Sequence, residues 1–292
     1  MDRLPSARRF VRRFVAGPVL EDALAVVARL NADGVDAAVT HLGEHVATAA
    51  DAARAADAYL EVLDAITSRR LRAVPSLKLT HLGLDLGEPA CRANLERVAA
   101  RGLESRTLVW VDMESSAYTD RTLDLYRALH PAYSNLACVV QAYLRRTAGD
   151  VEHLIEIAAT VRLCKGAYRK PPAIAFPDKR DVDASYAGLV DRFLSAEALA
   201  RGSYPAFATH DERMLDRARE NARRGRVGAD RYELQMLYGI RHDLHRALRA
   251  AGLRLRVLVP YGEDWYGYFM RRLAERPANL TFFFRQLLRG RP

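Results

Sequence analysis

The sequence predicts an α/β fold of the (β/α)8-barrel class, a distorted TIM barrel with an additional N-terminal helix and a C-terminal helix that can cap the mouth. Three observations predict it. Short apolar, β-like runs alternate with longer alanine-, leucine-, arginine- and glutamate-rich segments of helical period; eight such alternations follow one another; and no shift of composition divides the 292 residues. A chain of this length is compatible with one such unit, so residues 1–292 are read as a single barrel domain with residues 1–34 as a helical arm.

Within the arm, RRFVRRFV (8–15) alternates charge and bulk and reads as a solvated entry helix, with an anionic surface as the alternative partner. An apolar helical period then covers Leu20 to Asn31. The first four strands are expected in DAAVTHLG near residue 39, SLKLTHLG near 78, TLVWVDME near 110 and NLACVVQAYL near 138. The last four fall in TVRLCKGAY near 163, YPAFATHD near 207, RYELQML near 233 and LRVLVPYG near 257. Segments such as DAARAADAYLEVLDAITSRRL and DASYAGLVDRFLSAEALARG carry the helices between them. After the eighth strand, WYGYFMRRLAERPAN (265–279) should be helical from Gly267 to the residue before Pro277, with Tyr268, Arg271, Arg272 and Glu275 on one stripe.

Barrels of this class do their chemistry at the C-terminal ends of the strands. There the sequence places Lys78, Asp112, Gln141, Lys165, His210 and Gln235 as the residues closing strands two to seven. Any one of them could be a helix N-cap. Six in succession describe a polar mouth. Arg162 lies three residues before Lys165 and so on the opposite face of the fifth strand. One acid, Asp112, among several fixed cations suits an anionic substrate, and two adjacent arginines make a good carboxylate receptor.

The net charge of +9 and pI near 9.7 raise the question of nucleic acid. Yet all but four of the 45 basic residues are arginines spread along the chain, a compositional habit more than a binding stripe, so no nucleic-acid partner is expected. Cys91, Cys138 and Cys164 form no CxxC pair, which argues for a reducing, cytoplasmic setting and against a disulfide or zinc framework. No apolar run approaches the roughly 18 residues of a membrane span. HLGEH (41–45) matches a zinc-protease string, but its first histidine ends a strand and Gly43 breaks the element, so no metal is expected. His242 and His245 read as a surface pair on an outer helix. Glycine loops of the dinucleotide or P-loop kind are missing; RLCKGAY (162–168) is the nearest substitute, offering a cation and free amides to a phosphate. Lys78 or Lys165 could alternatively serve as a Schiff-base nucleophile, as in an aldolase.

Taken together, SLKLTHLG, VDMES, VVQAYLRR, VRLCKGAY, FATHD, YELQMLYGIR and VPYGEDWYGYFMRRLAERPAN resemble the flavin-dependent proline dehydrogenases of bacteria, from about Arg13 onward and in the family's order. No aldehyde dehydrogenase extension follows, so the resemblance is to the stand-alone form. It implies an FAD enzyme that oxidises L-proline to 1-pyrroline-5-carboxylate and passes electrons to a membrane quinone, the first step of proline degradation to glutamate. It also implies peripheral contact with the inner face of the membrane and coupling to a separate pyrroline-5-carboxylate dehydrogenase. Carried over by residue, Asp112 and Arg162 would be catalytic, with Arg162 beside the flavin. Lys78, Arg271 and Arg272 would bind the proline carboxylate; Glu275 would brace the arginines; Tyr268, Leu237 and Leu258 would line the substrate pocket. Met113, Gln141, Lys165, Gly166, Ala167, Thr209 and His210 would contact the flavin. One departure stands out: where the family usually has a tyrosine two residues before the proline of VPYG, this chain has Leu258.

Overall fold

A computed structural model describes residues 11–166 and 170–274, with the side chains of 273 and 274 excepted. Eight parallel strands close into a barrel in sequence order. They are β1 (Asp36–His41), β2 (Ala73–Leu77), β3 (Val109–Val111), β4 (Leu136–Gln141), β5 (Thr160–Cys164), β6 (Tyr204–Ala208), β7 (Glu233–Leu237) and β8 (Leu255–Tyr261). The ring shuts where β1 pairs with β8, from Asp36 opposite Arg256 to His41 opposite Tyr261. Around it run α1 (Leu20–Ala32), α2 (Ala49–Ser68), α3 (Glu88–Glu104), α4 (Thr119–Leu129), α5 (Thr147–Glu156), α6 (Lys179–Phe193), α7 (Ala196–Ala200), α8 (Glu212–Arg224) and α9 (His242–Ala250). Helix α10 (Trp265–Ala274) follows the last strand. No described helix is long and apolar enough to cross a membrane.

The strands are mostly apolar because the packed helices on one side and the barrel interior on the other leave neither face wet; all six residues of β4 are buried. The helices show the complementary period. Along α8 the buried residues are Met214, Leu215, Ala218 and Ala222, three or four apart, and the arginines occupy the other faces. Helix α2 starts where Thr48 Oγ1 accepts the Asp51 amide at 3.1 Å, which satisfies one of the free N–H groups of its first turn.

Four expectations change. Gln235 does not close its strand: it lies in the middle of β7, two residues before Leu237, and is buried. Helix α10 starts at Trp265, so Gly267 sits inside its first turn instead of opening it. His245 is buried on α9 with its ring 5.2 Å from that of His242, because α9 turns this face to the barrel and leaves only His242 outside. The described end of the arm is no solvated helix either. Val11, Phe14 and Val15 are buried in a small apolar cluster with Leu42, Ile240, Tyr268 and Phe269, and the Phe14 and Phe269 rings lie 6.2 Å apart. The alternation of charge and bulk was a sign of docking, with Arg12 and Arg13 outside and the bulky residues inside.

Gly239 makes this docking feasible. Its φ is +79°, and a Cβ built there would lie 1.7 Å from the Arg13 carbonyl oxygen. Gly239→Ala is therefore expected to push the arm off the β7 end at a cost of about 2 kcal/mol, or about 5 °C in Tm for a chain of this size. Limited proteolysis that cuts near residue 13 no faster in the variant than in the parent would count against this.

Candidate active site

Side chains of a barrel strand alternate between the helix layer and the interior. On β5 the inward set contains Arg162; on β7 it is Glu233, Gln235 and Leu237; on β8, Arg256 and Leu258. Strand β2 adds Ser76 and, just past its end, Lys78, while β3 adds Trp110 and, just past its end, Asp112. These residues meet.

The Arg162 guanidinium is held on three sides. Its Nη1 donates to Asp112 Oδ1 at 2.6 Å and to Ser76 Oγ at 3.2 Å, its Nε donates to Gln235 Oε1 at 2.5 Å, and its Cζ lies 4.4 Å from the centre of the Trp110 ring. A cation that is only 7% exposed needs such partners, since an unpaired buried charge costs several kcal/mol. Ser76 Oγ also donates to Asp112 Oδ1 at 2.8 Å, which turns the acid toward the arginine. Two atoms are left over: Arg162 Nη2 and Gln141 Oε1 are buried and have no hydrogen-bond partner among the described residues. They stand on neighbouring strands, one a donor and one an acceptor.

Above this cluster the mouth holds a second one. Glu44, in the loop after β1, lies between two cations: its Oε2 is 3.0 Å from Lys78 Nζ, and its Oε1 accepts from Arg271 Nη1 at 3.1 Å. Burial raises the carboxyl pKa, but Lys78 and Arg271 outweigh it and hold Glu44 down at about 2. A cavity of about 320 Å³ opens at this point, lined by Leu42, Glu44, Lys78, Tyr268 and Arg271 among others. Arg272 does not line it; its Cζ lies 5.2 Å from the centre of the Tyr268 ring. Leu237 and Leu258 are direct Cα partners on β7 and β8, both partly exposed, on the inward set above Gln235 and Arg256.

The remaining predicted residues divide. Met113, Gln141 and Thr209 are buried at the strand ends. His210 Nε2 accepts the Leu237 amide at 3.0 Å, which puts the ring proton on Nδ1. Gly166 has φ +101°, and its backbone lies against the Tyr143 ring, where a Cβ would come within 2.2 Å. Lys165 points away from Arg162, as the strand period predicts: its ammonium sits between Asp183 and Asp211, 2.7 Å from the latter. Ala167 and Glu275 lie outside the described residues. The HLGEH residues turn three ways: His41 stacks on Tyr261 at 5.0 Å, Glu44 meets the cations, and His45 contacts Asp85 at 2.8 Å.

Glu44, Ser76 and Trp110 are site residues that sequence reasoning missed. A signal for Glu44 existed. A cluster of two arginines and a lysine calls for a counter-charge, and the glutamate of HLGEH is a single acid in a loop leaving the same mouth.

Buried imidazoles give the barrel a pH dependence. His81, whose ring lies 5.3 Å from that of His41, is pushed down by burial to about 4, and burial does the same to His245. Between the ordinary histidine value near 6.5 and about 4 the unfolded chain takes up protons that the folded chain does not. Stability is then fully present above pH 6.5 and falls as the pH drops through that window, by up to roughly 3 kcal/mol per ring. Calorimetry at pH 7.5 and pH 5 should show the fall, and His245→Gln should remove its share; a Tm that is flat with pH would contradict it.

Comparison with known proteins identifies the family. The proline dehydrogenase family profile matches residues 23–285. Proline dehydrogenase 1 of Bacillus subtilis subsp. natto is 39% identical over 95% of this chain and 90% of its own length. Proline dehydrogenase of Deinococcus radiodurans is 38% identical over the same shares, 95% and 90%. Among solved structures, proline utilization A (PutA) from Bdellovibrio bacteriovorus superposes with a TM-score of 0.84 at 25% identity, covering 91% of this chain and 32% of that one. PutA from Corynebacterium freiburgense gives 0.78 at 21% identity, over 96% and 32%. A barrel carrying cations at its mouth, and relatives that match over nearly its whole length, lead to one statement: this chain belongs to the proline dehydrogenase family.

Proposed function

We propose that this proline dehydrogenase binds FAD, oxidises L-proline to 1-pyrroline-5-carboxylate and hands the electrons to a membrane quinone at the inner face of the membrane. A separate pyrroline-5-carboxylate dehydrogenase would take the product onward to glutamate. The observation that carries the substrate reading is that Lys78 and Arg271 already clamp a carboxylate, that of Glu44. The proline carboxylate would take its place, and Arg272 would move its charge from the Tyr268 ring toward the same group, with Glu275 as brace.

The residues present fit a flavin. Arg162 Nη2 and Gln141 Oε1 offer one donor and one acceptor in a buried position, without a partner among the described residues. Arg162, Gln141, Gly166, Thr209, His210 and Met113 would hold it, along with Ala167; Lys165, turned to Asp183 and Asp211, would contribute its backbone. When bound, FAD supplies the acceptor for the hydride from the carbon next to the ring nitrogen. The chain's own part is placement. Asp112 holds the Arg162 guanidinium, the cation pair at the mouth fixes one end of the substrate, and Tyr268, Leu237 and Leu258 wall its ring. Helix α10, which lines the mouth, would close over the bound substrate and so exclude water.

Neither lysine favours an aldolase: Lys78 and Lys165 are both held in ion pairs with carboxylates, where a Schiff-base amine needs to be free to attack. The test is optical. The purified protein should be yellow, and L-proline should bleach it without oxygen, whereas prolinamide, which lacks the carboxylate, should not. Equal bleaching by both would remove the clamp, and a colourless protein that takes up no FAD would remove the flavin. Leu258→Tyr restores an aromatic wall and should lower the KM for proline about threefold, a gain of roughly 0.6 kcal/mol; an unchanged KM would place residue 258 outside the pocket.

A further inference from the structure

We infer that Gln235 and Glu233 are positioning residues for Arg162, the upper part of a polar column that rises from the barrel floor and fixes the plane of the guanidinium. The inference rests on the flavin reading above. At the base, Arg256 donates through Nε and Nη2 to the two oxygens of Glu233, at 2.8 and 2.9 Å, and through Nη1 to the Ala37 carbonyl at 3.0 Å. Glu233 is 3% exposed and accepts a third bond, from Gln235 Nε2 at 2.5 Å.

That bond decides which way the amide of Gln235 faces. A carboxylate paired with arginine can only accept, so Gln235 must turn its NH2 down to Glu233 and its carbonyl up to Arg162 Nε, 2.5 Å away. Arg162, which has only donors, asks for the same orientation from the other end, and Glu233 adds the acceptor that holds the NH2 in place. The column therefore reads cation, anion, oriented dipole, cation, anion, from Arg256 to Asp112. Asp112 and Ser76 hold Arg162 at Nη1 alone, which leaves the guanidinium free to swing about that corner; Gln235 at Nε supplies the second anchor, and Trp110 supports the face. With two corners fixed, the direction of Nη2, which has no partner among the described residues, is set. Gln235 and Glu233 are buried, and the bond from Arg162 Nε is the link by which they reach the site.

The experiment compares purified holoenzymes carrying Gln235→Met, which matches the glutamine in length and removes the dipole, Gln235→Asn, which keeps an amide too short to bridge, and Gln235→Glu, which keeps an acceptor for Arg162. Flavin midpoint potential, kcat, KM and Tm are measured for each. Met and Asn are expected to leave the KM for proline within about twofold, to lower kcat about tenfold, and to shift the two-electron reduction equilibrium about tenfold, equivalent to about 30 mV. Glu can accept from Arg162 and donate to Glu233 only when its carboxyl carries a proton, so its recovery of kcat should grow as the pH falls. Should Gln235→Met fail to fold, Gln235→Asn carries the same comparison. The inference is overturned if Met and Asn leave both kcat and potential unchanged in a protein that proline still bleaches. It is equally overturned if all three variants lose flavin and Tm together, which is the mark of a structural role only. A wild-type protein that is colourless and takes up no FAD overturns the flavin reading itself, and this inference falls with it.

Discussion

Replacing Arg271 with methionine is expected to raise the KM for proline about 50-fold while leaving flavin content unchanged. Two charge-assisted hydrogen bonds to a carboxylate contribute about 4 kcal/mol when their donors are partly buried, and giving up Glu44 in the free enzyme offsets about half of that. The remaining 2 to 2.5 kcal/mol corresponds to about 50-fold. Arg271→Lys should recover only part of the loss, since an ammonium cannot reproduce the planar fork that meets both oxygens of Glu44, at 3.1 and 3.4 Å. The effect should also be insensitive to pH across the working range. Glu44 is depressed from 4.5 to about 2, so its ion pairs are complete above pH 4.5 and are lost only as the pH falls toward 2. Steady-state kinetics with the flavin quantified by absorbance will check this; a KM within threefold of the parent would mean the substrate carboxylate binds elsewhere.

Arg256→Met is expected to be the most destabilising change in the barrel floor. It leaves Glu233, 3% exposed, as a buried carboxylate without a cation, at a cost of about 4 kcal/mol. For a chain of this size that is a Tm loss of about 10 °C. In the parent, burial pushes Glu233 up but Arg256, Gln235 and Arg162 together bring it below the ordinary range, so the ion pair contributes stability at neutral pH that is lost on acidification. The variant reverses the sign. Its Glu233 takes up a proton easily, so the loss should be smaller at pH 5 than at pH 8. The double change Arg256→Met with Glu233→Met should return much of the Tm, because a matched apolar pair is close to neutral where half an ion pair is not. A double variant less stable than the single one at pH 8 would show that the pair is worth more than its desolvation.

The barrel and much of its mouth were legible because parallel strands buried on both faces are apolar runs, and any polar residue in such a run must have a reason to be there. Lys78, Asp112 and Arg162 announced themselves in this way, and the period of two put Arg162 and Lys165 on opposite faces, as found. The same period in ELQML sets Glu233, Gln235 and Leu237 on one side of β7; what misplaced Gln235 at the mouth was an error of two residues in the strand end, a boundary that hydrogen bonding across the sheet decides. Glu44 was overlooked for another reason. A loop residue has no period to betray its direction, and HLGEH has the residue types of a metal site whichever way its side chains turn.

What the sequence determined by itself is the order of the elements, the family, and which residue types each strand offers to the interior, since all three depend on local pattern. The pairing of charges was decided by the tertiary structure alone. Arg271 meets Glu44 across 227 residues of chain, Arg162 meets Asp112 across 50, and Lys165 turns to Asp211 across 46. An ion pair depends on distance in space and on the water removed around it, and neither quantity exists until the barrel has closed.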